Sequence, residues 1–172
     1  MRVIMSQASL PKTGRNTMRF VAAGIFCLFA SAAMAQTAAL PKGTYSFGPD
    51  QTITDISKIE WTPLKLDGFA PGIEIASLRG DLGKGGAEIL LRTPPKYVVP
   101  NHSHTSDEVY VWLKGGFTYI AADGTRQKMD APAYISLPGN APPHTIECDD
   151  EPCVFYVRYS RPFDIQVMQK HP

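Results

Sequence analysis

The chain has 172 residues, with 17 basic and 16 acidic side chains and three cysteines. The basic residues neither cluster nor interleave with aromatics, which excludes a nucleic-acid surface. No tract is low in complexity or repeated, so the composition describes one ordinary globular domain behind a leader.

The leader comes first. Met18-Arg19 precedes an apolar run from Phe20 to about Ala30, then small residues, and Ala33-Met34-Ala35 fits the A-x-A cleavage pattern of a secretory signal peptide. The run is short for a bilayer span, so residues 1–35 are expected to be cleaved and to leave no membrane anchor. Residues 1–17 are an odd beginning for such a segment, and Met18 is an alternative start. Cleavage removes four basic residues and no acidic one, leaving 13 basic against 16 acidic residues in 137 and a net charge of −3. The expected destination is the bacterial periplasm.

Residues 36–70 carry Pro41, Gly43, Gly48, Pro49, Pro63 and Gly68 as punctuation and read as an extended arm. Short strands are expected near Thr52–Ile56 and Ile59–Leu64, with Trp61 as a packing anchor. Apolar residues nowhere hold a helical period over three turns. From Pro71 onward the pattern is β. Strands are expected at Ile73–Leu78, Ala87–Arg92, Tyr97–Val99 and Val109–Leu113. Phe117–Ala121 and Gln127–Met129 form a hairpin across a loop containing Asp123-Gly124. Ala133–Leu137 follows, and His144–Cys148 with Val154–Tyr159 makes a last hairpin. Many short strands without helices point to a β-sandwich or small barrel over residues 71–165, with 166–172 as a tail.

Only Cys148 and Cys153 remain in the exported chain. An oxidising compartment favours a disulfide between them at the tip of that last hairpin, two free thiols being the alternative.

Three of the four histidines fall in one constellation: His102, His104 and, forty residues later, His144. Neutral imidazole is the commonest metal ligand, and a carboxylate completes a mixed nitrogen and oxygen shell. Residues two apart on a strand share a face, so His102 and His104 can project as a pair, with Glu108 of the same parity. Three imidazoles and one carboxylate leave about two positions of an octahedral ion for water, dioxygen or a chelating substrate. Iron, manganese, nickel or zinc in the divalent state would suit the set. Glu108, Tyr110 and Trp112 share a strand face, so both aromatics either line a cavity or fill the core. Tyr156 and Arg158 share a face of the closing strand. Arg158 or Arg92 is a candidate to orient a substrate carboxylate, an ordinary surface position being the alternative. His171 reads as a tail residue.

The run His102-x-His104-x3-Glu108-x6-Gly115 resembles the first motif of the cupins, with Lys96 in place of its leading glycine. Pro138-Gly139-Asn140-Ala141-Pro142-Pro143-His144 is similar to their second motif, with altered spacing and Cys148 where asparagine is usual. The strand at Pro71–Asp81 and the later Arg161-Pro162-Phe163 look like the small, exported, single-domain ChrR-like group. The resemblance implies a cupin-type jelly-roll β-barrel with one divalent metal ion held by His102, His104, Glu108 and His144. It implies no particular substrate.

A metal-dependent enzyme acting on a small oxygenated or acidic molecule is the leading expectation, with dioxygenase, decarboxylase, lyase or isomerase chemistry all compatible. A non-catalytic metal-binding or ligand-sensing module is the alternative. The arm is long enough to cover a neighbour's sheet edge, so a homodimer is expected.

Overall fold

The structure is a computed structural model that describes residues 40–48 and 51–168. The segment read as a signal peptide, with Ala33–Ala35, the first residues of the segment read as an arm, and the last residues of the tail with His171 lie outside the described residues.

The described chain is almost entirely β, as its alternating pattern requires. A hairpin of β1 (Thr44–Gly48) and β2 (Gln51–Thr54) stands as a two-stranded sheet and is followed by a single 3-10 turn at Ile56–Lys58. Eleven further strands form two antiparallel sheets. The six-stranded sheet runs β10-β7-β12-β5-β4-β3, comprising β3 (Thr62–Pro63), β4 (Glu74–Arg79), β5 (Glu88–Thr93), β7 (Glu108–Lys114), β10 (Ala133–Leu137) and β12 (Cys153–Tyr159). The five-stranded sheet runs β13-β6-β11-β8-β9, comprising β6 (Val98–Ser103), β8 (Gly116–Ile120), β9 (Arg126–Asp130), β11 (His144–Cys148) and β13 (Gln166–Val167). Consecutive strands often sit in different sheets, as in a jelly roll.

The two inner faces make one core. Trp112 is fully buried and stacks between Phe117 from the opposite sheet, at 3.9 Å, and Phe155 from its neighbouring strand, at 4.2 Å. Inward positions of β5 and β12 supply Ile89, Leu91, Val157 and Tyr159 around it. The chain changes sheets between β7 and β8 at Gly115, whose φ of +82° and approach to Pro152 leave no room for a Cβ.

Four expectations are revised or refined. The last two strands are not a hairpin: β11 pairs with β6 and β8, whereas β12 pairs with β5 and β7. The Cys148–Cys153 disulfide is present, but it ties one sheet to the other across the Asp149–Pro152 crossover, with Cα atoms 6.1 Å apart. The segment read as an arm supplies β3, which pairs with β4, and places Ile59 and Trp61 with Ala76 and Leu90 in a second small cluster. Finally, Gln166–Val167 pairs with Ser103 and His102, so the chain beyond residue 165 begins with a strand.

The central indole sets a measurable expectation. Trp112→Ala should cost about 3–5 kcal/mol of unfolding free energy, because the stack cannot close over so large a void. Urea unfolding measures it, and a loss under about 1 kcal/mol would show that the two sheets do not depend on this residue. Opening the disulfide by Cys153→Ser should cost less, about 2 kcal/mol for so short a ring.

Candidate functional site

The four polar side chains singled out by spacing come from both sheets and meet at one end of the core. His102 lies in β6 and is directly opposite His144 at the start of β11. His104 follows one residue beyond the end of β6, and Glu108 opens β7 in the other sheet. All four are buried, with exposures of 1–5%.

Local hydrogen bonds hold this arrangement. The Thr105 amide and hydroxyl donate to the Asp164 carboxylate at 3.1 Å, and the Asn140 amide donates to the His104 carbonyl at 2.8 Å. Asp107 accepts from the Gly139 amide at 2.7 Å and from the Ser160 hydroxyl at 3.2 Å. Gly139 must be glycine for space, since a Cβ there would collide with the Thr105 carbonyl. The Pro138–Pro143 turn is thereby clamped against the histidine loop, which brings His144 to its partners.

The imidazoles are oriented by their backs. His102 Nδ1 contacts the Pro100 carbonyl at 2.7 Å, and His104 Nδ1 contacts the Asp164 carbonyl. As carbonyls accept, both Nδ1 atoms carry the proton and both Nε2 atoms present a lone pair. Tyr110 donates to Glu108 Oε2 at 3.0 Å, leaving Oε1 free. His104 Nε2 lies 3.3 Å from that Oε1 but is not directed for a hydrogen bond, and both atoms remain without a partner. His144 has no partner at either nitrogen and stacks on Tyr119, 5.2 Å away.

Buried polar atoms without partners cost free energy, and their concentration here marks a place built for something else. The donor set fits a divalent transition metal: imidazole nitrogens and one carboxylate oxygen, with the His102 and His104 tautomers fixed from outside. Ring centroids are 4.9 Å apart for His102 and His104, 4.4 Å for His102 and His144, and 6.5 Å for His104 and His144. Imidazoles sharing an ion at about 2.1 Å would have centroids between about 4.5 and 6.4 Å apart. Even so, among the described residues no three His, Cys, Asp or Glu side chains already stand as a finished metal shell. Small side-chain adjustments must accompany any ion.

Beside His102 and His104 lies a cavity of about 40 Å³ with almost wholly apolar walls. Tyr110 lines it; Trp112 is not among its walls and belongs to the stacked core. Arg92, Tyr156 and Arg158, the other candidates for its lining, do not reach it, and the two arginines take the ordinary surface position instead. Arg92 lies on the outer face, bonded to Glu74 at 2.5 Å and 4.6 Å above the Trp61 ring. Tyr156 packs with the outer cluster, and Arg158 is exposed. The inward set of β12 is instead Cys153, Phe155, Val157 and Tyr159. Sequence reasoning missed Asp164, Tyr119 and Phe69, whose ring lies 6.2 Å from His102. Tyr119 shares parity with Phe117 and was within reach of that argument. Asp164 had no local signal.

A two-layered jelly roll with a His, His, Glu and His cluster between its sheets defines a cupin. The family model of the ChrR cupin-like domain matches residues 49–161, and the chain belongs to that family. Among solved structures, the DMSP lyase DddQ from Ruegeria pomeroyi DSS-3 is 18% identical, with a TM-score of 0.53, 63% of this chain and 60% of the lyase being covered. The polyketide cyclase RemF from Streptomyces resistomycificus is 16% identical, with a TM-score of 0.50 and coverage of 58% and 73%. A cupin-2 domain from Rhodospirillum rubrum is 15% identical, with a TM-score of 0.51 and coverage of 64% and 76%. Identities this low speak for the fold alone. No curated protein sequence matches the chain.

Burial governs protonation at the site. Desolvation pushes His102 down to about 3 and His144 to about 4, lowers His104, and raises Glu108 to about 8. Below the unfolded histidine value of 6.5, the unfolded chain takes up protons that the folded site refuses, so stability falls as pH drops. Glu108 acts oppositely: its contribution is full below 4.5 and is lost as pH rises toward about 8. Between those limits the histidines outnumber the one carboxyl. On account of this cluster, metal-stripped protein should therefore be most stable at about pH 6.5 to 7. Urea midpoints at acidic, neutral and mildly basic pH test this, and a steady rise into the basic range would contradict the neutral Glu108.

Proposed function

We propose that the chain is an exported metal-dependent enzyme acting on a small organic molecule. One divalent transition metal ion would be held by His102, His104, Glu108 and His144. The observation that carries this reading is the set of partnerless buried atoms at His104 Nε2, Glu108 Oε1 and both nitrogens of His144. When bound, the ion would supply Lewis-acid or oxygen-activating chemistry of the dioxygenase, lyase or decarboxylase type.

The chain's own residues would perform the remaining tasks. The Pro100 and Asp164 carbonyls keep Nε2 of His102 and His104 unprotonated and aimed inward. Tyr110 holds one Glu108 oxygen so that the other is free, and its own hydroxyl stays protonated because burial raises it well above the usual phenol value. Phe69, Phe163 and the apolar walls keep water from the reacting end. The leader would deliver the domain to the periplasm.

One observation favours a second reading, a ligand-binding module without turnover. Among the described residues lining the cavity there is no aspartate, glutamate or lysine to serve as general base. Turnover against binding separates the two readings.

Mature protein purified from its native compartment should carry close to one equivalent of a transition metal by elemental analysis. His144→Ala should reduce this to background. Tyr110→Phe should retain the ion but bind it about 10-fold more weakly, as expected for loss of an outer hydrogen bond. Wild-type protein that takes up no iron, manganese, nickel or zinc would end the proposal.

A further inference from the structure

The cavity beside the histidines has a definite chemical character. Its walls come from both sheets, through Ile89 and Leu91 on β5 and Val99 and Ile146 on β6 and β11. Phe69 and Phe163 contribute from the loop before β4 and the segment after β12. The only other lining groups with polar atoms are His102, His104, Tyr110 and Tyr159. Among the described residues, no lysine, arginine, aspartate or glutamate lines it.

Charge elsewhere does not compensate. Arg92, the cation on β5, is turned to the opposite face and committed to Glu74. Arg158 is exposed on the same outer side. In the metal-free site an anionic group placed among these walls would lose its hydration without gaining a cationic side chain as partner, a cost that ordinarily prevents binding. Among the described residues, His102, His104, Tyr110 and Tyr159 are therefore the only polar groups of an otherwise apolar chamber. A cavity of about 40 Å³ has room for about three water-sized groups on this measure, so the accommodated part is small.

We propose that the site takes an uncharged molecule with a small apolar body, seated among Ile89, Leu91, Val99 and Phe155 with its polar atom directed at His102 and His104. This deepens the enzyme reading above and rests on it for the role of the site, but the recognition itself does not require an ion. The outward placement of Arg92 and Arg158 matches the ordinary surface alternative and, among the described lining residues, leaves no side-chain cation for a substrate carboxylate.

The test uses two probes of matched size, butan-2-one and propanoate, titrated into the full exported protein in metal-stripped and metal-loaded forms. Methyl NMR signals of Ile89, Leu91 and Val99 report occupancy. In the metal-stripped form butan-2-one should saturate these signals at a concentration at least about 10-fold below propanoate, a difference of about 1.4 kcal/mol. Ile89→Phe and, independently, Leu91→Phe should abolish the ketone response, with the fold checked by the remaining methyl spectrum. Propanoate binding as tightly as the ketone in the stripped form would overturn the proposal. So would an absence of cavity shifts with butan-2-one, or a ketone response unchanged in a folded variant. Failure of the protein to load metal, with ketone selectivity intact, would remove the metal reading and leave this one standing.

Discussion

The governing constraint is the burial of four polar side chains between two apolar sheets. Isolated imidazoles and a carboxylate do not survive in such a place without help, because each brings atoms that water would otherwise satisfy. The chain answers part of that demand with its own backbone. The carbonyls of Pro100 and Asp164 take the Nδ1 protons, and Tyr110 takes one carboxylate oxygen. What is left unsatisfied faces inward, toward the other members of the cluster. The frame is consequently specific on the outside and incomplete on the inside, which is the disposition expected of a site completed by an exogenous group.

Much of this was legible in order along the chain. The His102, His104, Glu108 spacing is a two-residue parity followed by a short loop, and parity survives folding because strands alternate. The same rule put Tyr110 and Trp112 on the face of Glu108 and correctly grouped them. It left Arg92 and Arg158 open between the cavity and the surface, and the reason is physical. Alternation tells which residues share a face but not which face is inward when both are covered. On β5 the outward Leu90 is as buried as the inward Ile89, since Ile59 and Trp61 lie over it. A run such as Glu88-Ile89-Leu90-Leu91-Arg92 then carries no clear polarity.

The hairpin misassignment of β11 and β12 has a different origin. Two cysteines around a short polar loop look locally like a turn, and local chemistry cannot reveal that each strand has better partners elsewhere. His144 pairs with His102 and Tyr156 with Leu90 and Val111, all contacts distant in sequence. Asp164 was hidden for the same reason: its partners Thr105 and His104 are about sixty residues away. Nonlocal pairing decided both outcomes.

This misreading changes the meaning of the disulfide. Cys148 ends the strand that His144 begins, so the two sit about 13 Å apart along β11. The covalent tie between the sheets is at one end of that strand, and the candidate site is at the other. At the site end the sheets are joined by the backbone loops 104–107 and 138–143, which hydrogen bonds among Asp107, Gly139, Ser160, Thr105 and Asp164 hold in place. Hydrogen bonds with modest net free energies can be exchanged for contacts with a ligand, whereas a disulfide cannot. The covalent side-chain tie thus lies at the end of β11 away from the candidate site, whose own end is held by backbone loops and the hydrogen bonds between them.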